Sequence, residues 1–140
     1  MNKHFCGLIG ILMCNHAMAD EDDFRCFRSA DPKSSLRLQF VIQAEKDGSG
    51  YVIYQKGSGP IPIKRLKEKE LHRGPGGRPS EFEATWQEIS PNGLGGMYGV
   101  VSQGALISKF RYIRKKDGKT ILFEEDTGAA AEHGCVWNIN

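Results

Sequence analysis

The side chains able to do chemistry in this chain are scattered. Beyond the first twenty residues the histidines are His72 and His133, and no short spacing joins them. A zinc centre needs three or four nitrogen and sulfur ligands brought together, and no local run supplies them. Asp47-Gly48-Ser49-Gly50 begins like a calcium loop but lacks the later acidic ligands. No serine stands in the Gly-x-Ser-x-Gly setting of a strained nucleophile. Glu81, Glu83, Glu88, Glu124 and Glu125 offer carboxylates for a glycosidase pair. Glu81 and Glu83, however, alternate with Phe82, Ala84 and Trp86, which puts them on a water-facing side. Gly57-Ser58-Gly59-Pro60 is not followed by a helix and makes no phosphate loop. These residues read as a protein that is not an enzyme, with no cofactor and no metal. What remains is charge. Lys56 sits on one glycine-rich loop, and Arg73 and Arg78 on another. Arg111, Arg114, Lys115, Lys116 and Lys119 form a basic ribbon around Asp117-Gly118. Such groups recognise anions, either a glycan or the acidic cleft of another protein.

Loops of this kind need a scaffold, and the scaffold is written in period-two alternation. Leu36, Leu38, Phe40 and Ile42 alternate with Arg37, Gln39, Val41 and Gln43. Phe82, Ala84 and Trp86 do the same, and Ile121 and Phe123 continue the pattern. Leu106, Phe110 and Tyr112 share a face with Ser108, leaving Lys109 and Arg111 on the other. This period marks strands with one buried face. Asp47-Gly48 and Asp117-Gly118 each sit between two such runs and read as hairpin turns, with Asn92-Gly93 as a third. The strands expected are residues 24–28, 35–44, 50–55, 61–66, 81–89, 97–103, 105–115, 119–125 and 134–138. Pro60 and Pro62 lack an N–H for a ladder, so 61–66 is expected at an edge or as irregular chain. Arg65 to His72 reads as a short helix or as strand, and Asp126 to Glu132 as a short helix. His72 to Ser80 and Gly93 to Gly96 are expected as exposed loops. The fold class is all-β: one small antiparallel barrel or sandwich of about eight strands.

The ends of the chain add a compartment and a staple. Met1-Asn2-Lys3-His4, an apolar run from Phe5 to Cys14, and Ala17-Met18-Ala19 have the order of a secretory signal peptide over residues 1–19, cleaved after Ala19. The mature domain is then 20–140, periplasmic or secreted. Met13 before Cys14 fits lipid attachment poorly, because the processing site takes a small residue there. No second apolar run approaches the ~20 residues of a membrane span. The formal charge of +2 gives no field for nucleic acid. Removing Cys6 and Cys14 leaves Cys26 and Cys135, which have one possible intramolecular pairing in an oxidising compartment. An N-to-C-terminal disulfide of this length closes nearly the whole domain and ties first strand to last.

Ser49-Gly50 followed by Tyr51-Val52-Ile53-Tyr54-Gln55-Lys56-Gly57 resembles motifs of the bacterial C-type lysozyme inhibitors, the membrane-bound and periplasmic MliC/PliC-like family. The resemblance implies a small exported antiparallel barrel with an early cysteine joined to a late one. It also implies that Ser49 and Lys56 meet the catalytic carboxylates of a lysozyme, with Tyr51 and Gly57 the other matching positions. The two motifs nearly overlap here, whereas the family keeps them apart, and some eighty residues follow them. β-Rich immunity proteins against peptidoglycan-degrading toxins share the same logic: a rigid sheet, a protruding loop and a cation that plug a cleft holding two carboxylates. The function expected is inhibition of a peptidoglycan hydrolase or lysozyme-like toxin by an exported binding protein. Ser49, Tyr51, Lys56, Arg73 and Arg78 are its contacting residues. The alternative expected is a small-ligand or lipid-binding barrel of the envelope, its cavity lined by Phe40, Trp86, Met97 and Phe110.

Overall fold

A computed structural model describes residues 21–137. The expected leader, with Cys6 and Cys14, lies outside the described residues, as does the end of the expected strand at 134–138. Eight strands follow one another: β1 (Asp23–Ser29), β2 (Arg37–Ile42), β3 (Ser49–Tyr54), β4 (Ile61–His72), β5 (Glu81–Ser90), β6 (Gly93–Gln103), β7 (Leu106–Ile113) and β8 (Thr120–Glu125). Each pairs antiparallel with the next, and β1 pairs with β8, so the sheet closes into a barrel rather than a sandwich. Closure leaves no strand without a neighbour along its whole length.

The interior is filled by the residues the alternation selects. Phe27, Leu38, Phe40, Val52, Ile63, Trp86, Tyr98, Val100, Phe110 and Phe123 form one buried cluster. Phe110 sits at its centre, with ring centroids 4.1 Å from Phe27, 5.4 Å from Phe40 and 5.7 Å from Tyr98. Interlocked rings at these separations leave no room for a ligand in the middle of the barrel. Met97 is on the opposite parity of β6 from Tyr98 and takes no part in the cluster.

Four one-residue bulges change which residues face inward. The β4–β5 register slips between Arg65 and Lys67 and again between Glu70 and His72, the β5–β6 register slips between Gln87 and Ile89, and the β6–β7 register slips between Val101 and Ser102. In β7 this breaks the expected shared face. Ser108 is the extra residue, Ile107 packs on the core, and Leu106 is exposed.

Other expectations are corrected by where hydrogen bonds go. Residues 65–72 continue β4 as strand, because β5 pairs with them out to His72. Pro62 faces Tyr51 of β3, but the ladder to β5 begins only at Ile63, so proline stands where one side of the strand is free. Gly93 to Gly96 is the start of β6, entered by a tight turn at Pro91-Asn92. Beyond β8 the chain makes only a three-residue 3₁₀ turn, Thr127–Ala129. It stops because the Val136 N–H takes the Ala129 carbonyl at 2.7 Å and folds the tail back on itself. Cys135 therefore lies in this tail with one isolated bridge to Ala130, and the described part of the expected final strand, 134–137, is not a strand.

The Cys26–Cys135 disulfide joins β1 to that tail, not first strand to last. The tail lies against the outside of the wall. Asp126 donates its N–H to the Cys26 carbonyl at 2.7 Å, and Cys135 donates to Gln39 Oε1 at 2.9 Å. Cys26 and Val41 are buried, yet neither belongs to the interior cluster, and Ala129 is buried with them.

Candidate functional site

In a meander, alternate connections collect at opposite ends of the barrel. One end carries the links 30–36, 55–60, 91–92 and 114–119. The other carries 43–48, 73–80, 104–105 and the chain on either side of the barrel. Contacts between loops agree. Lys56 Nζ lies 3.5 Å from Ser35 Oγ at the first end, and Gln103 Nε2 donates to the Pro79 carbonyl at 3.0 Å at the second.

This parity divides the expected contact residues. Lys56 is exposed at the first end. Arg73 and Arg78 are exposed on the 73–80 loop at the second. Ser49 opens β3 at the second end, its N–H held by the Lys46 carbonyl at 3.1 Å. Ser49 and Lys56 are thus separated by the length of β3, roughly 20 Å at the rise of an extended strand. Tyr51 points out of the barrel wall, half-buried between Val41 and Pro62 on the neighbouring strands. One narrow cleft cannot receive all five.

The same parity separates charge. The links of the first end hold Lys33, Lys56, Arg114, Lys115, Lys116 and Lys119 against Asp31 and Asp117. The links and flanking chain of the second hold Glu21, Asp22, Glu45, Asp47, Asp126 and Glu132 against Lys46, Arg73 and Arg78. At the first end the 114–119 hairpin is braced from within. Arg114 clasps Asp117 through two nitrogens, and Lys115 Nζ donates to the Leu94 carbonyl at 2.7 Å. The Arg114 guanidinium, a direct hydrogen-bond donor, holds the Asp117 carboxyl down at a pKa of about 2. Among the described residues, Lys56, Lys116 and Lys119 have no carboxylate within ion-pair distance.

Below these loops the first end is closed by a chain of hydroxyls. Tyr54 and Tyr98 meet at 2.7 Å, and the Tyr98 hydroxyl also lies 2.7 Å from Glu88 Oε1. Glu88 shares the inward parity of Ala84 and Trp86 on β5, and Gly96 leaves room for the Tyr112 ring beside it. Burial pushes the pKa of Tyr98 and Tyr54 well above the ordinary value, and that of Tyr112 up as well, with Glu88 adding to each. Neutral tyrosines are therefore a fixed part of this plug.

The second end is open. Arg25 and Arg65 lie on inward parities of β1 and β4, opposite Phe40 and Trp86. The Arg65 guanidinium carbon is 5.9 Å from the Trp86 ring centroid. They overlook a cup of about 170 Å³. Sequence reading missed this site. Arg25 shares its parity with Phe27, a readable signal, but Glu68 reaches the same face only through the bulge at Leu66.

Four of the five carboxylates considered for catalysis have structural partners, Glu88 through Tyr98 as above. Glu83 faces Arg111 at 3.6 Å, Glu124 faces Arg28 at 3.8 Å, and Glu125 faces Arg25 at 3.2 Å. His72 and His133 are both exposed. Among the described residues no three His, Cys, Asp or Glu side chains gather as a metal site, and no helix is long and apolar enough to cross a membrane. No protein-family model, curated protein or solved structure matches the chain.

Proposed function

We propose that this chain is an exported, non-enzymatic binding protein that inhibits a peptidoglycan-degrading hydrolase, a lysozyme or a toxin of similar chemistry. The observation that carries the reading is the unpaired charge of the first end: Lys56, Lys116 and Lys119 project from braced links with no carboxylate of their own. A glycan-cutting cleft holds carboxylates, and a rigid cationic surface complements it without the ordering cost of a flexible loop. Lys56 keeps the role expected for it. Lys116 and Lys119 take the place of Arg73 and Arg78, which sit at the other end of the barrel.

The test is clearing of purified peptidoglycan by C-type lysozyme, and separately by a bacterial muramidase, with and without the 20–140 domain. Inhibition is expected, with an association rate that falls as salt is raised through the physiological range. Changing Lys56, Lys116 and Lys119 together to glutamate should abolish it, while Arg73→Ala with Arg78→Ala leaves it intact. Absence of inhibition of both enzymes, or full inhibition by the triple variant, would overturn the reading.

A further inference from the structure

We propose that the open mouth of the barrel is a binding site for a small carboxylic acid bearing one aromatic or branched apolar group. The site is independent of the basic end, and its floor and rim come from different strands. Phe40, Trp86 and Ile107 give an apolar floor, with Phe82 on the wall above. Arg25 enters from β1 and Arg65 from β4, each about a third exposed or less. The cup of about 170 Å³ is well below the ~300 Å³ at which pockets begin to take drug-sized ligands, so it suits a single ring or branched chain.

The pairing of the two arginines selects the head group. Each has one close carboxylate that does not line the cup: Glu125 at 3.2 Å from Arg25, and Asp47 at 3.0 Å from Arg65. These orient the guanidiniums. Each also has a second, looser carboxylate at the rim: Asp23 at 3.7 Å and Glu68 at 3.5 Å, neither of them a hydrogen bond. Both rim side chains are exposed, at 62% and 42%, and can swing aside. A guanidinium has five N–H donors, so donors remain on both arginines for an incoming carboxylate. The apolar body then covers Phe82, Ala84 and Ile107, which are part-exposed beside the buried Phe40 and Trp86.

The experiment is an NMR titration of the uniformly ¹⁵N-labelled 20–140 domain with 3-phenylpropanoate and, in parallel, with its neutral amide. The acid should shift the amides of Arg25, Arg65, Trp86 and Ile107, with a dissociation constant on the order of 1 mM for a ligand of this size. The amide should bind at least tenfold more weakly. Arg25→Gln and Arg65→Gln should each weaken the acid at least fivefold and leave the amide unchanged. Equal affinity for acid and amide, shifts confined to another surface, or unaltered acid binding by both variants would overturn the proposal. Should one variant fail to fold, the acid–amide contrast in the unaltered protein decides alone.

Discussion

The two mouths of this barrel solve the same problem in opposite ways. Each must place polar atoms beside an aromatic core. At the Lys56 end, Tyr54, Tyr98 and Glu88 satisfy one another inside, and the charges stay outside on loops. At the Arg25 end, the charges themselves turn inward and are held by carboxylates from neighbouring strands and loops, leaving a cup. A hydrogen-bonded plug excludes water and fixes shape. Ion pairs at a solvated rim tolerate exchange of one partner for another. The first end is therefore a closed, braced surface, and the second keeps a shallow cup.

The largest expected effect asks whether this contrast depends on the tail. Cys26→Ser with Cys135→Ser should cost about 4 kcal/mol in urea denaturation, as expected for a cross-link spanning most of the chain. The barrel is closed by hydrogen bonds between β1 and β8, not by sulfur. Amides of β1 and β8 should therefore stay protected from exchange while those of 126–137 lose protection. Loss of protection at one mouth only would show that the tail, and not the strand register, creates the difference.

How far this contrast was readable from sequence depends on parity. Leu38, Phe40 and Phe123 lie on the expected face, and the turns at Gly48 and Gly118 fall where φ of +71° and +70° is needed. The pairing of Cys26 with Cys135 followed from setting Cys6 and Cys14 aside with the expected leader, which left one pair. Bulges are where reading stops. One extra residue at Leu66 or Ser108 reverses every side chain after it, and no residue type marks the position. Glu68 reaches the inward face that way, and Leu106 leaves it. That Lys56 lies at one end of the barrel and Arg73 and Arg78 at the other was hidden for a related reason. Which end a loop occupies depends on how many strands precede it, and treating 65–72 as a possible helix left that count open.

A matched pair of substitutions sharpens the comparison. Tyr98→Phe leaves the Glu88 carboxylate and the Tyr54 hydroxyl without their shared partner. It should cost about 2 kcal/mol, the range for a buried group left unsatisfied. Arg65→Gln, at a solvated rim, should cost less than ~1 kcal/mol. Equal costs would erase the distinction between plug and cup. Alkaline pH probes the plug again. Burial raises the folded pKa of Tyr98 and Tyr54 above the unfolded value of 10.0, so the folded chain holds those protons longer. Their contribution is whole below pH 10 and is lost as pH rises toward the folded values. Stability should fall by about 1.4 kcal/mol per pH unit for each of the two, with Tyr112, more exposed, adding less. Tyr98→Phe should make that fall shallower.

The smallest expected effect concerns the charge of the basic end, and it bears directly on what that end can recognise. Asp117 is exposed, yet Arg114 and the Lys119 N–H hold its pKa at about 2, below the ordinary 3.8. A depressed carboxyl stabilises the hairpin above its unfolded value and stops doing so as pH falls through the folded one. Carboxyl ¹³C shifts should therefore place the Asp117 midpoint near 2, and a midpoint near 3.8 would show that the Arg114 clasp is absent in solution. Both histidines of the described chain stand away from this end, His72 at the close of β4 and His133 in the tail. With Asp117 ionised and no imidazole among its links, the first end keeps one charge state from about pH 5 to 8. Inhibition through Lys56, Lys116 and Lys119 should then vary over that range only as the partner enzyme itself titrates. A pH dependence that follows this protein when the enzyme is exchanged would move recognition to the other mouth.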